Sequence, residues 1–395
     1  GTSKHRGDNL EHPLLQSYGP LEGWHILLVI GFISIGFFTY QVQKATRLVM
    51  LGSSDDRFDS WSTRISEFIS GWLFQKKVLR DKVAGTMHVL MFWGFLMLAS
   101  DMLDLATANA FSGKVLPAIL VGPWNGMVEL GYFMALVGCV SALTRRVVFT
   151  PEKLKGKSQL EGNVILLLIF TITTTSFMVE SAESPSSFWE PLGYWFSEQG
   201  LSEQTVILSY WAHMLAISVF LFLIPLSKHM HLVMAVPNVF FHDAGPMARM
   251  RPLATGDDGK AVPLEDLDID SFGVSTYNQY SWRQLIDGWS CTSCARCQDV
   301  CPAYASGKGL NPMQVIHDVR NYANDHAPIL LSGGQPDETM LERITEEAVW
   351  ACTTCNACVD VCPLYIEHVP KLTDLRRNAM METMEYPEVL NTAMG

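Results

Sequence analysis

Charge is scarce in this chain of 395 residues. Asp, Glu, Lys and Arg together make up 17%, against about 25% in an ordinary soluble domain. With 48% hydrophobic residues, that shortage weighs against a wholly soluble enzyme and excludes a disordered chain. Basic residues are scarcer than acidic ones, 28 against 40, which excludes a nucleic-acid-coating surface. No dinucleotide fingerprint, P-loop or nucleophile elbow is present. Cysteine is missing from nearly the whole chain. Eight of the nine cysteines fall in two short clusters, Cys291 to Cys301 and Cys352 to Cys362, and Cys139 stands alone. Disulfide frameworks are seldom packed this way, so the clusters point to metal thiolates in a reducing compartment.

The hydrophobicity is concentrated before residue 240. Five segments, near 23–48, 84–105, 122–144, 162–180 and 204–228, are apolar enough to cross a hydrocarbon layer of about 30 Å. The first lacks the short apolar region and cleavage site of a signal peptide. Lys44, Arg47, Arg57, Arg64, Lys76, Lys77, Arg80 and Lys82 follow the first segment, and Arg145, Arg146, Lys153, Lys155 and Lys157 follow the third. The opposite loops hold only Lys114 and, over 181–203, no Lys or Arg. The positive-inside rule then places the N-terminus outside and everything after the fifth segment in the cytoplasm. Between the first two segments, Trp61, Ile65, Phe68, Ile69, Trp72 and Leu73 repeat as one helix face. That face lies either on the cytoplasmic membrane surface or under the soluble domain.

The expected architecture is all-α. Residues 1–22 form an outside segment, 23–240 a five-helix transmembrane bundle, 241–280 a polar linker and 281–395 a second, α-helical domain that holds both cysteine clusters. Gly245-Pro246 and Asp257-Asp258-Gly259 mark the linker. Stretches 311–324 and 338–351 read as helices.

The cysteines stand as Cys291-x₂-Cys294-x₂-Cys297-x₃-Cys301-Pro302 and Cys352-x₂-Cys355-x₂-Cys358-x₃-Cys362-Pro363. This is the bacterial ferredoxin spacing. Three close thiolates hold one side of a cubane, and the fourth ligand comes from the other motif. Cluster one would use Cys291, Cys294, Cys297 and Cys362. Cluster two would use Cys352, Cys355, Cys358 and Cys301. Zinc also accepts four cysteines, but its sites use paired C-x₂-C without the third cysteine and the closing C-x₃-C-P.

Ionisable residues within a bilayer default to functional candidates. His88 falls early in the second segment, His213 in the outer half of the fifth, and His229 and His231 at the cytoplasmic end of the fifth. A bis-histidine b haem needs two imidazoles at similar depth, between helices whose small residues leave space for the ring. His88 with His231, or with His229, meets the depth condition. His213 precedes His231 by 18 residues, about 27 Å along a straight helix, so it serves a separate outer haem or none. Asp101, Asp104, Glu129 and Glu180 lie near outer helix ends, as proton relays for a quinone or as groups facing water. Cys139 reads as a small buried apolar residue, and Arg296, beside a cluster ligand, as solvated surface, with tuning of the cluster's potential or docking of an acidic partner as the alternatives.

His213…Pro225…Ser227-Lys228…His231…Val236-Pro237 resembles the last helix of the gamma subunit of respiratory nitrate reductase, with His88 matching the first of two histidines on its second helix. Leu98 replaces the second of these, which bears on the outer haem. Gly85-Thr-Met-His88-Val-Leu-Met-Phe-Trp-Gly94, Ser227-Lys-His-Met-His231 and Cys362-Pro…Ile366-Glu-His-Val-Pro370 resemble membrane-bound iron–sulfur oxidoreductases linked to electron-transfer flavoprotein, relatives of heterodisulfide reductase.

That resemblance implies a five-helix transmembrane haem-b bundle over 23–240 followed by an α-helical dicluster ferredoxin domain over 281–395, an electron-transfer subunit carrying two [4Fe–4S] clusters and one or two b haems. It would connect a cytoplasmic donor, electron-transfer flavoprotein, to menaquinone within the cytoplasmic membrane. It also implies a cysteine- and glycine-rich repeat domain, expected as a separate subunit or as a continuation beyond Gly395. A different class is a membrane anchor and electron conduit for a separate heterodisulfide- or thiol-processing subunit.

Overall fold

The computed structural model describes residues 13–14, 16–110, 118–149, 157–182, 185–246, 250, 252–253, 262–266, 272–384 and 386–388; for 101–110, 118–119, 157–158 and 264 it describes the backbone alone. The fold is all-α. One departure is a small hairpin, Ser17–Tyr18 against Leu21–Glu22, turned by Gly19 at φ 68°. Much of the expected linker 241–280 falls outside the described residues.

The long helices are α1 (Gly23–Val49), α3 (Lys82–Ala110), α4 (Ala118–Val147), α5 (Lys157–Glu180) and α7 (Glu203–Leu223), with the short α2 (Trp61–Phe68) and α6 (Pro191–Glu198) between them. Five spans among the described residues are long and apolar enough to cross a membrane: Gly23–Val49, Lys82–Ser100, Leu120–Val147, Gln159–Glu180 and Glu203–Leu226. They match the five expected segments.

One compact unit joins the chain up to Thr39 with Val78–Ile224. Glycines close α3 onto α4 there. A Cβ on Gly94 would lie 2.7 Å from the carbonyl of Gly131, and one on Gly138 would lie 2.8 Å from that of Met87. The small residues let the two backbones approach closely at this interface. Cys139 is fully buried and its Sγ donates to the carbonyl of Leu166 at 2.9 Å.

The second unit joins Tyr40–Lys77 with Pro225–Gly395. It holds the end of α1, α2, α8 (His231–Phe240), α9 (Trp282–Ser290), α10 (Arg296–Asp299), α11 (Pro302–Ala305), α12 (Pro312–Asp325), α13 (Ala327–Leu331), α14 (Met340–Ile344), α15 (Glu346–Ala351), α16 (Ala357–Val361) and α17 (His368–Asn378). Polar caps start its helices. Ser281 and Gln284 form a capping box on α9, and Asn311 Oδ1 accepts from Met313 and Gln314 with Pro312 at the first position of α12.

Ala45, Leu48 and Val49, at the end of α1, join Leu285, Trp289, Tyr322 and Leu375 in this unit's core. At 27 residues, α1 is about 40 Å long, longer than a hydrocarbon layer of about 30 Å, and its last turns are core of this unit.

Two expected helices are broken. The fifth segment does not continue to His231. Pro225 has no N–H to give, α7 stops at Leu223, and a 3₁₀ turn carries Ile224–Leu226. Ser227 then turns extended, its Oγ accepts from the His229 N–H, and α8 starts afresh at His231. His213 and His231 therefore sit on different helices, and the straight-helix distance between them does not apply. The stretch 338–351 is also two helices, because Thr345 at φ 76° ends α14 and caps α15.

Helix α2 continues into a π turn over Ile69–Leu73. Its polarity is reversed relative to its surroundings. Arg64 is buried, donating to the carbonyls of Asp59 at 2.8 Å and His242 at 2.7 Å. Trp61, Ile65 and Ile69, spaced at i, i+4 and i+8, are exposed, as are Phe58 and Phe74.

Candidate metal centre

Each cysteine motif begins where a helix ends. Cys291 caps α9 and Cys352 caps α15. The next residues turn left-handed without glycine, at matched positions of the two motifs: Ser293 (φ 55°) and Ala295 (φ 62°), then Thr354 (φ 53°) and Asn356 (φ 60°). Such conformations cost about 1–3 kcal/mol each and mark places where the surroundings demand them. Alternation of left- and right-handed residues turns successive N–H groups to one side, forming an anion-binding nest. Thr354 N–H lies 3.4 Å from Cys352 Sγ, and the N–H groups of Leu364 and Ile366 bear on Cys362.

The eight cysteines sort into two cavities. Cys291, Cys294, Cys297 and Cys362 line one, with Met313, Leu364 and Ile366. Cys301, Cys352, Cys355 and Cys358 line the other, with Pro302, Leu310 and Leu372. Each cavity thus takes three sulfurs from one motif and the last from the other. His368 lines both. No three or more Cys, His, Asp or Glu among the described residues are placed to hold a single metal ion. Four sulfurs around each space suit a polynuclear cluster.

Electrostatics fit the same group. Burial pushes the thiols of Cys358 and Cys362 up to about 12 and that of Cys291 to about 11, and raises that of Cys297 further. Thiolates are disfavoured in these pockets until a cationic iron core offsets their charge. Cys355 is the exposed ligand candidate; Cys291, Cys297, Cys301, Cys358 and Cys362 are buried.

Beneath the first cavity lies an ion network that the sequence did not reveal. Arg57 meets Asp55 at 2.8 and 3.0 Å and Glu367 at 3.2 and 3.1 Å, both bidentately. Arg283 donates to Asp287 at 2.8 Å and to the carbonyl of Tyr365 at 3.0 Å. Asp287 also takes Lys371 Nζ and, at 3.1 Å, the N–H of Glu367. Arg283, Asp287 and Lys371 are wholly buried. Three cations face three anions, so the network is neutral. Burial opposes the charge on Asp287, but Lys371 and Arg283 outweigh it and hold the carboxyl below the usual range. The network pins the segment between Cys362 and α17. Only the i, i+4 pairs Arg283/Asp287 and Glu367/Lys371 carried a local signal of it.

The remaining candidates are placed as follows. Arg296 is not merely solvated; it donates to the carbonyl of Lys77 at 3.0 Å. His231 Nδ1 lies 2.9 Å from the carbonyl of Lys228. A carbonyl only accepts, so Nδ1 carries the proton and Nε2 keeps its lone pair, the tautomer a metal ligand needs. His213 Nδ1 lies 3.1 Å from the carbonyl of Ile172 and also 3.1 and 3.3 Å from the hydroxyls of Thr175 and Ser176, so no single partner sets its tautomer. His229 Nδ1 pairs with Ser227 Oγ at 3.0 Å. His88 lies on α3. Glu129 is buried; its Oε1 accepts the N–H groups of Leu192 (2.5 Å) and Gly193 (2.8 Å) in the first turn of α6. Its Oε2 is buried without a hydrogen bond among the described residues. The side chains of Asp101 and Asp104 lie outside the described residues.

Residues 283–363 match the family described as a 4Fe-4S dicluster domain. Over 406 residues the chain is 28% identical to an EtfAB:quinone oxidoreductase of Syntrophomonas wolfei, covering 92% of this chain and 55% of that protein. It is 27% identical over 398 residues to the "Probable iron-sulfur-binding oxidoreductase FadF" of Bacillus subtilis, covering 89% and 55%. Over 105 residues it is 32% identical to a component of the ferredoxin:CoB-CoM heterodisulfide reductase of Methanosarcina mazei, covering 26% and 53%. The chain spans about half the length of these curated relatives. No solved structure matches it. The resemblance to iron–sulfur oxidoreductases linked to electron-transfer flavoprotein and to heterodisulfide reductase is therefore met by relatives of that description. The chain is a membrane-anchored iron–sulfur electron-transfer protein similar to these oxidoreductases.

Proposed function

We propose that the protein passes electrons between electron-transfer flavoprotein and the menaquinone pool, as the membrane subunit of a quinone-linked oxidoreductase. The observation that carries this reading is the sorting of eight cysteines into two four-sulfur cavities, in a chain that also has five membrane-length helices. Two [4Fe–4S] clusters and b-type haem supply one-electron chemistry when bound. Cys291, Cys294, Cys297 and Cys362 hold one cluster; Cys352, Cys355, Cys358 and Cys301 hold the other.

The chain's own residues set the direction of contact. Exposed Cys355 gives a soluble partner access to the second cluster. The first cavity is tied to the segment that precedes the second membrane helix, by Arg296 on Lys77 and by Tyr365 under the Lys77 ammonium, 3.8 Å from its ring centre. His231, with Nε2 open, and His88 are the ligand candidates for one b haem; His229 is the alternate. His213 would serve an outer haem. The N-terminus lies outside and the iron–sulfur unit in the cytoplasm, with the exposed stripe of α2 on the inner membrane surface. Glu129 Oε2 is the candidate proton site for quinone.

A second reading keeps the conduit and gives the catalysis to a separate heterodisulfide- or thiol-type subunit; the heterodisulfide reductase component of Methanosarcina mazei, similar over only 105 residues, favours it. A redox titration of the purified protein with optical and EPR detection separates the two. Reduction of clusters and haem by electron-transfer flavoprotein, and their reoxidation by menaquinone, is the expected result. Clusters that respond to neither leave the anchor reading, and no [4Fe–4S] signal at all defeats both. His88→Ala and His231→Ala should each abolish low-spin b-type absorbance; unchanged haem content refutes that ligand.

A further inference from the structure

The two cavities are alike in their backbone and unlike in their side-chain neighbours. His317, on α12, brings Nε2 to 3.7 Å from Cys291 Sγ and 3.0 Å from Ser293 Oγ. Its approach is built into the helix packing. Gly288 on α9 lets α12 come so close that a Cβ there would lie 3.0 Å from Arg320 Cβ, and His317 is one turn before Arg320. Among the described residues, no side chain makes a matching bond to a sulfur of the second set. Cys352 Sγ receives only the backbone N–H of Thr354, and Arg376 donates to the carbonyls of Val349 and Cys352 rather than to sulfur.

We propose that His317 is a positioning residue that donates an N–H···S hydrogen bond to Cys291 and so selectively raises the reduction potential of the first cluster. The inference rests on reading that cavity as a [4Fe–4S] site. A thiolate ligand has no proton of its own, so an imidazole lone pair facing it is repelled and an N–H facing it is attracted. Ser293 Oγ is then the second acceptor of the same N–H, or donates elsewhere. A hydrogen bond to a ligand sulfur withdraws charge, and it does so more strongly when the cluster carries the extra electron, which favours reduction.

The test is an EPR-monitored titration of the intact membrane protein and of His317→Leu and His317→Gln. In His317→Leu one cluster midpoint should fall, with about a tenfold loss in its reduction equilibrium constant, which is about 59 mV for a one-electron couple. The other midpoint should stay. Gln keeps an N–H donor and should restore part of the shift. Movement of both midpoints together, or of neither, overturns the proposal. Should the Leu variant fail to assemble, pulsed EPR on ¹⁵N-histidine-labelled protein decides. One histidine nitrogen should couple to a reduced cluster and be lost in His317→Gln. No coupling, or coupling that survives the substitution and so belongs to another imidazole such as His368, overturns it. Absence of any cluster signal would instead defeat the functional reading on which it rests.

Discussion

Asp287→Asn tests whether the buried ion network holds the first metal site. The substitution keeps the size but removes one charge and turns one accepting oxygen into an NH2 that faces a donor, Arg283 on one side or Lys371 and the Glu367 N–H on the other. Arg57, Arg283 and Lys371 would then face only Asp55 and Glu367, leaving one net positive charge among groups that are almost wholly out of water. Breaking a buried pair by neutralising one partner costs about 3–5 kcal/mol. Domains are stable by about 5–15 kcal/mol, so the loss is a large fraction of the whole. It falls first on the segment that Asp287 fixes through the N–H of Glu367, next to Cys362. Denaturant unfolding of the holoprotein, followed by cluster absorbance and by helix signal, is the assay. The expected result is early bleaching of one cluster and a midpoint lowered in proportion. The double variant Asp287→Asn/Lys371→Met restores neutrality and should recover a sizeable part of the loss. A single variant within about 1 kcal/mol of the parent would refute the reasoning. The sign with pH is fixed as well. Asp287 has a folded value below its unfolded one, so its contribution is present above the ordinary carboxylate range and disappears as pH falls through the folded value.

Gly288→Ala gains about 1 kcal/mol of helix propensity but must push Arg320 away by a few tenths of an ångström. Stability should change little, while the first cluster's midpoint moves in the direction of His317→Leu, as EPR titration would show; an unmoved midpoint contradicts the packing argument. Glu129→Gln keeps an oxygen for the N–H groups of Leu192 and Gly193 yet cannot carry a proton. Menaquinone reduction should slow about tenfold or more with cluster reduction unaffected, and full turnover would remove Glu129 as a relay. The α2 stripe predicts that a photoactivatable phosphatidylcholine in nanodiscs labels Trp61, Ile65, Ile69 and Phe74. Labelling confined to the five long helices would show that the stripe is covered by something other than lipid.

What could be read from the sequence was what lies within a few turns of chain. The cysteine spacing is local, because a cubane needs three ligands from one short loop, so the motif is legible without any knowledge of the fold. The membrane-length helices were legible for the same reason: composition over about 20 residues decides them. Errors arose where a local breaker was outvoted by hydrophobicity. Pro225 and Ser227 end one helix and begin another, yet the apolar run through them reads as continuous. Thr345 likewise divides a periodic stretch by taking a backbone angle that β-branched residues rarely adopt. The second unit's framework was not legible at all. Arg57 finds Glu367 across 310 positions, and the end of α1, apolar enough to pass for membrane span, is core for helices more than 200 residues away. Such pairings are set by packing rather than periodicity. They also have a chemical consequence. His317 and the ion network around Asp287 come from this non-local framework, so the motif points to the metal group, while the tuning of its potential and stability proposed above falls to residues outside the cysteine motifs.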